Sequence, residues 1–214
     1  AGITILRIGS NTATVIDRVK QRLKELRKDL PSDVSIAPLY DQSILIHHSL
    51  KTVSNALIAG ELLVILILFL LLSSLRAATV AALAVPVCML VTFILMWRAG
   101  ISANLLSLGG LAISIGMMID ASIVITENVY RNLTEERGES ESVESAVLRG
   151  ARQIGRPVFF AILIVVAAFI PLLALQGIEG RLFIPLALSI IFSMVGSVLM
   201  AFIVAPSLCV LLLR

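Results

Sequence analysis

Five stretches of this chain run for twenty or more residues with almost no charge, and they constrain the fold more than any motif does. Residues 52–75 are broken only by Glu61, and residues 77–97 lie uninterrupted between Arg76 and Arg98. Residues 99–126 are broken only by Asp120, while 157–178 and 182–213 carry no charge at all. A bilayer core about 30 Å thick needs about 20 residues of α-helix. The pattern therefore predicts five membrane spans, at about 52–75, 77–97, 101–127, 157–176 and 186–210. A single such run could be a buried core helix, but five together argue against it. Only 14% of the 214 residues are charged, where a soluble domain has about a quarter, which excludes a water-soluble globule. The charges are also gathered: 13 lie in residues 1–51 and 11 in residues 127–156.

Other compositional signals carry less. The net charge of +3 comes without a basic patch, so no nucleic-acid partner is implied. Cys88 and Cys209 sit inside apolar runs, which argues against a disulfide framework. The opening Ala-Gly-Ile-Thr has no basic n-region or cleavage site, so no signal peptide is expected and the chain reads as a piece of a longer protein.

An odd number of spans puts the two ends on opposite sides of the membrane. Arg76, Arg131, Arg137, Arg149, Arg152, Arg156 and Arg214 fall on one side, against Arg98 and Arg181 on the other. Basic residues in short loops mark the cytoplasmic side, which is expected to be the former. Residues 1–51 then lie outside the cytoplasm as a translocated lobe, exempt from the rule as a folded domain. This lobe reads as strand, helix, strand. Ile3, Ile5 and Ile8 suggest a first strand. Asn11 or Thr12 can cap a helix carrying Val15, Ile16, Val19, Leu23 and Leu26 at helical spacing, and Val34, Ile36 and Leu39 suggest a second strand. The fold class expected is a mainly α polytopic helix bundle with a short N-terminal βαβ piece, which needs further strands to bury its faces. Residues 130–154, charged around Val143, Ala146 and Val147, form a cytoplasmic amphipathic connector.

Asp120 is the most informative residue. An ionised carboxylate near the bilayer centre costs about 2.5–3.5 kcal/mol on insertion scales and faces a cavity or a partner charge. Burial raises its pKa and a nearby cation lowers it, so such a group can load and release a proton near neutral pH. A static ion pair pinning two helices is the structural alternative. Gly109, Ala112 and Gly116 precede Asp120 on one helical face, a stripe that permits close helix contact. Glu127 lies on the same face about 10.5 Å further along, a candidate proton relay at the cytoplasmic mouth. Glu61 reads as interfacial. His47 and His48 diverge on a helix and read as surface residues rather than a metal pair. The six Met residues all fall in spans; thioethers suit soft metals but also fill cores.

The run Ser107-Leu-Gly-Gly-Leu-Ala-Ile-Ser-Ile-Gly-Met-Met-Ile-Asp120-Ala-Ser-Ile-Val-Ile-Thr-Glu-Asn128 resembles the fourth transmembrane helix of the resistance–nodulation–division (RND) efflux transporters. Tyr40-Asp41-Gln42-Ser43, Leu75-Arg76-Ala77, Gly155-Arg-Pro-Val-Phe-Phe160 and Leu175-Gln-Gly-Ile-Glu-Gly-Arg-Leu-Phe183 are similar to that family's helix entries and turns. The resemblance covers nearly all of the chain. It implies that residues 1–51 are the end of a ferredoxin-like periplasmic porter subdomain and that the spans are helices two to six of twelve. It further implies a trimeric permease of the bacterial inner membrane, working with a periplasmic adaptor and an outer-membrane channel. Proton entry would drive it, with Asp120 as the proton carrier, and no cofactor is implied.

Drug-exporting members commonly carry two adjacent acids here, whereas Ala121 follows Asp120. The lone acid and the turn at 175–183 are similar to the heavy-metal branch. In copper and silver members of that branch, paired Met residues line the membrane helices. Met118 and Met194 fall at one such pair, and Cys209 stands where a Met is expected; Leu106 and Ile125 depart from the pattern. The expected function is proton-coupled export of heavy-metal cations, by an antiporter rather than an enzyme. The alternatives are an exporter of organic compounds within the same family, a structural or protein-translocation subunit, and a membrane hydrolase. The last lacks a catalytic base near Ser114 or Ser122.

Overall fold

The computed structural model describes residues 5, 12–28, 30–31, 36, 38, 41–71, 74–135, 137–138 and 141–212. The chain divides into two compact units, Ala1–Thr52 and Val53–Arg214.

In the first unit, helix α1 (Thr12–Leu26) places Val15, Ile16, Val19 and Leu23 half-buried while its Arg and Lys residues are exposed. That division follows the helical spacing of the apolar positions. Helix α2 (Gln42–Leu71) begins in this unit. Asp41 immediately precedes it and accepts the backbone N–H of Ser43 at 2.9 Å, as an N-cap residue does. Lys20 of α1 reaches both Asp41 Oδ2 at 2.8 Å and Ser43 Oγ at 2.6 Å, joining the two helices. Most of both expected strands, and Asn11, lie outside the described residues. Of the strand positions, Ile5 and Ile36 are described, and neither is in a strand.

The second unit contains helices α3 (Leu75–Ala82), α4 (Ala84–Arg98), α5 (Leu105–Thr134), α6 (Val143–Phe169), α7 (Gly177–Leu199) and α8 (Ala205–Leu212). A 3₁₀ turn at Ile170–Ala174 ends α6, and a π turn at Met200–Val204 joins α7 to α8. Among the described residues, five helical stretches are long and apolar enough to cross a membrane: Gln42–Leu70, Leu75–Arg98, Leu105–Thr134, Val143–Ala174 and Gly177–Leu212. The break at Leu83 has a covalent cause. Pro86 lacks the N–H that would bond the carbonyl of Ala82. Pro206 likewise leaves the carbonyl of Phe202 without its usual partner, and the helix widens there into the π turn.

The helices outrun the uncharged stretches at several ends. The last was expected to start after Pro185, yet α7 begins at Gly177, whose φ is +67°, and runs through Pro185. Transmembrane helices tolerate proline where neighbours satisfy the freed carbonyl. The charged segment after the third span is not one separate helix. It is the end of α5, a short break, and the start of α6, capped at Ser142 by a 3.2 Å bond from the N–H of Ser145.

The core lies around α5. Leu111, Met118, Ile125 and Val129 are fully buried with Ile190, Met194 and Met200 from the last span. Gly110 lets α7 come close: a Cβ there would stand 2.5 Å from the carbonyl oxygen of Leu186 and would strike Ser189 Oγ. Gly150 does the same for α6, where an added Cβ would be 3.0 Å from the Cα of Val129.

Candidate proton-transfer face and metal-binding core

Helix α5 carries most of the candidate chemistry, and its start is firmly fixed. Asn104 Oδ1 accepts the N–H groups of Leu106 at 3.0 Å and Ser107 at 2.9 Å, and Ser107 Oγ accepts the N–H of Asn104 at 2.9 Å. This reciprocal cap sets which side chains point where along the next 30 residues.

Two faces result. Ala112, Gly116, Asp120 and Glu127 are exposed within the chain, whereas Ser114, Met118, Ser122, Ile125 and Thr126 are buried. Met118 and Asp120 are two residues apart and so diverge by about 200° around the axis. No described residue forms an ion pair or hydrogen bond with the carboxylate of Asp120 or Glu127. The stripe of small residues leading to Asp120 was expected to meet another helix. Within the described residues it is open, because a Cβ at Gly109 or Gly116 would meet nothing within 4 Å. The close contact instead falls one residue round the helix, at Gly110, where α7 packs.

The sulfur candidates lie on the inner side. Met118, Met194 and Cys209 are buried in one apolar cluster. Ser197 Oγ donates to the carbonyl oxygen of Met118 at 3.1 Å, so α7 touches α5 one turn from Met194. Cys209 on α8 sits beside Thr126. The structure thus brings the three sulfurs into one core and turns the acids away from it. Among the described residues no three His, Cys, Asp or Glu side chains converge as a metal-binding group. His47 Nδ1 lies 2.8 Å from the carbonyl oxygen of Ser43, a local helix contact.

Apart from Ser122, weighed only as a nucleophile, these hydroxyls between the helices were not singled out in the sequence. Thr92 Oγ1 donates to the carbonyl of Cys88 at 2.7 Å and reaches Ser193 Oγ at 3.3 Å. Ser193 Oγ donates to the carbonyl of Ser189 at 2.7 Å. Among the described residues, Ser122 Oγ and Thr126 Oγ1 are buried and find no hydrogen-bond partner of good geometry. A four-residue repeat, Ser189, Ser193 and Ser197, was the available signal for the α7 part.

A family model described as AcrB/AcrD/AcrF matches residues 2–214. The chain belongs to the AcrB/AcrD/AcrF family. It is 36% identical over 214 residues to "Cation efflux system protein CusA" of Escherichia coli (strain K12), covering 97% of this chain and 20% of that protein. It is 35% identical over 213 residues to "Cobalt-zinc-cadmium resistance protein CzcA" of Cupriavidus metallidurans, covering 96% and 20%. A crystal structure of a heavy metal efflux pump superposes with a TM-score of 0.83 at 35% identity, covering 97% of this chain and 20% of that one. The chain therefore spans about a fifth of the length of these relatives.

This AcrB/AcrD/AcrF chain also ties α5 to α6 beyond the acid face. Asn128 Nδ2 donates to the carbonyl of Gly150 at 2.7 Å and to Gln153 Oε1 at 3.0 Å. Asn132 Nδ2 donates to the same Gln153 oxygen at 2.9 Å. Arg149 Nε donates to Asn132 Oδ1 at 3.0 Å, and its Nη1 lies 3.0 Å from both carboxylate oxygens of Glu141. Asn132 is fully buried and has partners for both ends of its amide, as a buried polar group requires.

Proposed function

We propose that the chain is part of an inner-membrane RND permease that exports heavy-metal cations in exchange for protons. The observation that carries this reading is Asp120: an acid sixteen positions into a 30-residue span, on a face of α5 that the described chain leaves uncovered. In hydrocarbon an isolated carboxylate is unstable as an ion, so it is neutralised by a proton or held by cations from other segments. Protonation removes the attraction to such cations, and deprotonation restores it. That alternation moves α5 relative to its partners. A membrane potential of 100 mV supplies about 2.3 kcal/mol for each proton that enters.

Glu127 passes protons between Asp120 and the cytoplasm. Met118 and Met194, with Cys209, offer soft sulfur contacts to the exported cation. Similarity to the cation efflux protein CusA and the cobalt-zinc-cadmium resistance protein CzcA supports cations over organic compounds as cargo. The intact protein works as a homotrimer in the bacterial inner membrane, with residues 1–51 in the periplasm and adaptor and outer-membrane channel subunits beyond.

The test uses the intact transporter in inverted vesicles with an imposed pH gradient. Asp120→Asn is expected to abolish metal uptake while trimer assembly is unchanged. Uptake at the unsubstituted rate would overturn the proton-carrier role. Protection of growing cells against drugs but not metals would overturn the cargo.

A further inference from the structure

A groove of about 560 Å³ opens on the outer side of α6, and Arg152, Arg156, Phe159, Phe160, Val198 and Phe202 line it. We propose that it binds an anionic phospholipid of the surrounding bilayer.

The charge is the first support. Arg152 and Arg156 are four residues apart, so they stack one turn from each other on the same helix face. Both are exposed, and neither guanidinium forms an ion pair or hydrogen bond with a described residue. Arg149, one turn earlier, is instead held by Glu141 and Asn132. No acidic side chain lines the groove. Two guanidinium groups without a counter-charge among the described residues match a phosphodiester, which their planar forks can grip in pairs.

The position on the helix is the second support. Along α6 the charges stop at Arg156, and residues 157–178 carry none. The helix therefore passes from headgroups into hydrocarbon at Arg156–Pro157. Phe159 and Phe160 follow within one turn, their rings edge to face with centroids 5.9 Å apart. Phe202, from the π turn, forms the opposite wall. Gly155 admits its ring, since a Cβ there would stand 3.2 Å from Phe202 Cε1. The groove thus offers cations at headgroup depth and aromatic carbon immediately below. A lipid phosphate and its acyl chains present that same order. Basic pockets between membrane helices bind acidic headgroups in this way. Arginines that merely snorkel to water need no apolar groove beneath them.

The test takes the intact transporter through nanodiscs of phosphatidylcholine containing graded phosphatidylglycerol, then counts retained lipids by native mass spectrometry. The unsubstituted protein is expected to retain phosphatidylglycerol over phosphatidylcholine at this site. Arg152→Gln with Arg156→Gln is expected to weaken that retention about thirtyfold, from about 1 kcal/mol for each basic residue. Arg152→Lys with Arg156→Lys keeps the charge and is expected to lose about threefold or less. That pair and the single Arg152→Gln decide the matter if the double Gln variant does not assemble. Equal retention by the neutral variant, or no preference over phosphatidylcholine, overturns the proposal. So does displacement of the lipid by soluble glycerophosphate alone, or a segment of the intact protein found seated in the groove.

Discussion

Lys20 first, then the hydroxyl and the backbone N–H of Ser43, hold the Asp41 carboxyl down from 3.8 to about 2. A folded pKa below the unfolded one means the contact stabilises fully above pH of about 4 and is lost as pH falls toward 2. Amide protection in the first turn of α2, corrected for intrinsic exchange, is therefore expected to hold steady from pH 7 to about 4.5. It should fall between about 4 and 2, and Lys20→Met should move that fall upward. Unchanged protection in the Lys20→Met variant at all pH values would exclude the linkage. Single residues differed in how plainly the sequence exposed them. Asp120 stood out because one charge in an apolar run is conspicuous wherever its side chain points. Thr126 did not, because a hydroxyl in a membrane helix is ordinarily satisfied by its own backbone, a bond that Thr126 Oγ1 does not make among the described residues.

At the scale of helices, the spans were legible because hydrocarbon demands about 20 uncharged residues. Their ends were not. Prolines read as boundaries, yet α7 runs through Pro185, and the charged start of α6 is helical because Asn128, Asn132 and Gln153 hold it against α5. Which side of α5 packs was also hidden, since Gly109 and Gly110 are equally small. Only Gly110 is pressed against backbone, and backbone cannot rotate away as a side chain can. Gly110→Ala is expected to destabilise the intact transporter by about 1–3 kcal/mol, as overpacking does, and to lower its unfolding temperature in detergent. Gly109→Ala meets no atom of the described chain and serves as the comparison. An equal unfolding temperature for Gly110→Ala and the unsubstituted protein would show that α5 and α7 are not in contact there.

Over the molecule as a whole, a chain one-fifth the length of its relatives leaves one long face of α5 bare. The family was readable because its motifs are contiguous in sequence. A partner for Asp120 was not, because an interface is written half in each partner. A spin label at Ala112→Cys is expected to be immobile in the intact transporter and mobile in residues 1–214 alone. Equal mobility in both would mean that nothing covers this face. The divided surface of α5 has a mechanical corollary. Carboxylate and thioether are mounted like opposed lobes on one camshaft, so any roll of the rod that swings Asp120 one way carries Met118 the other, geared without a connecting part.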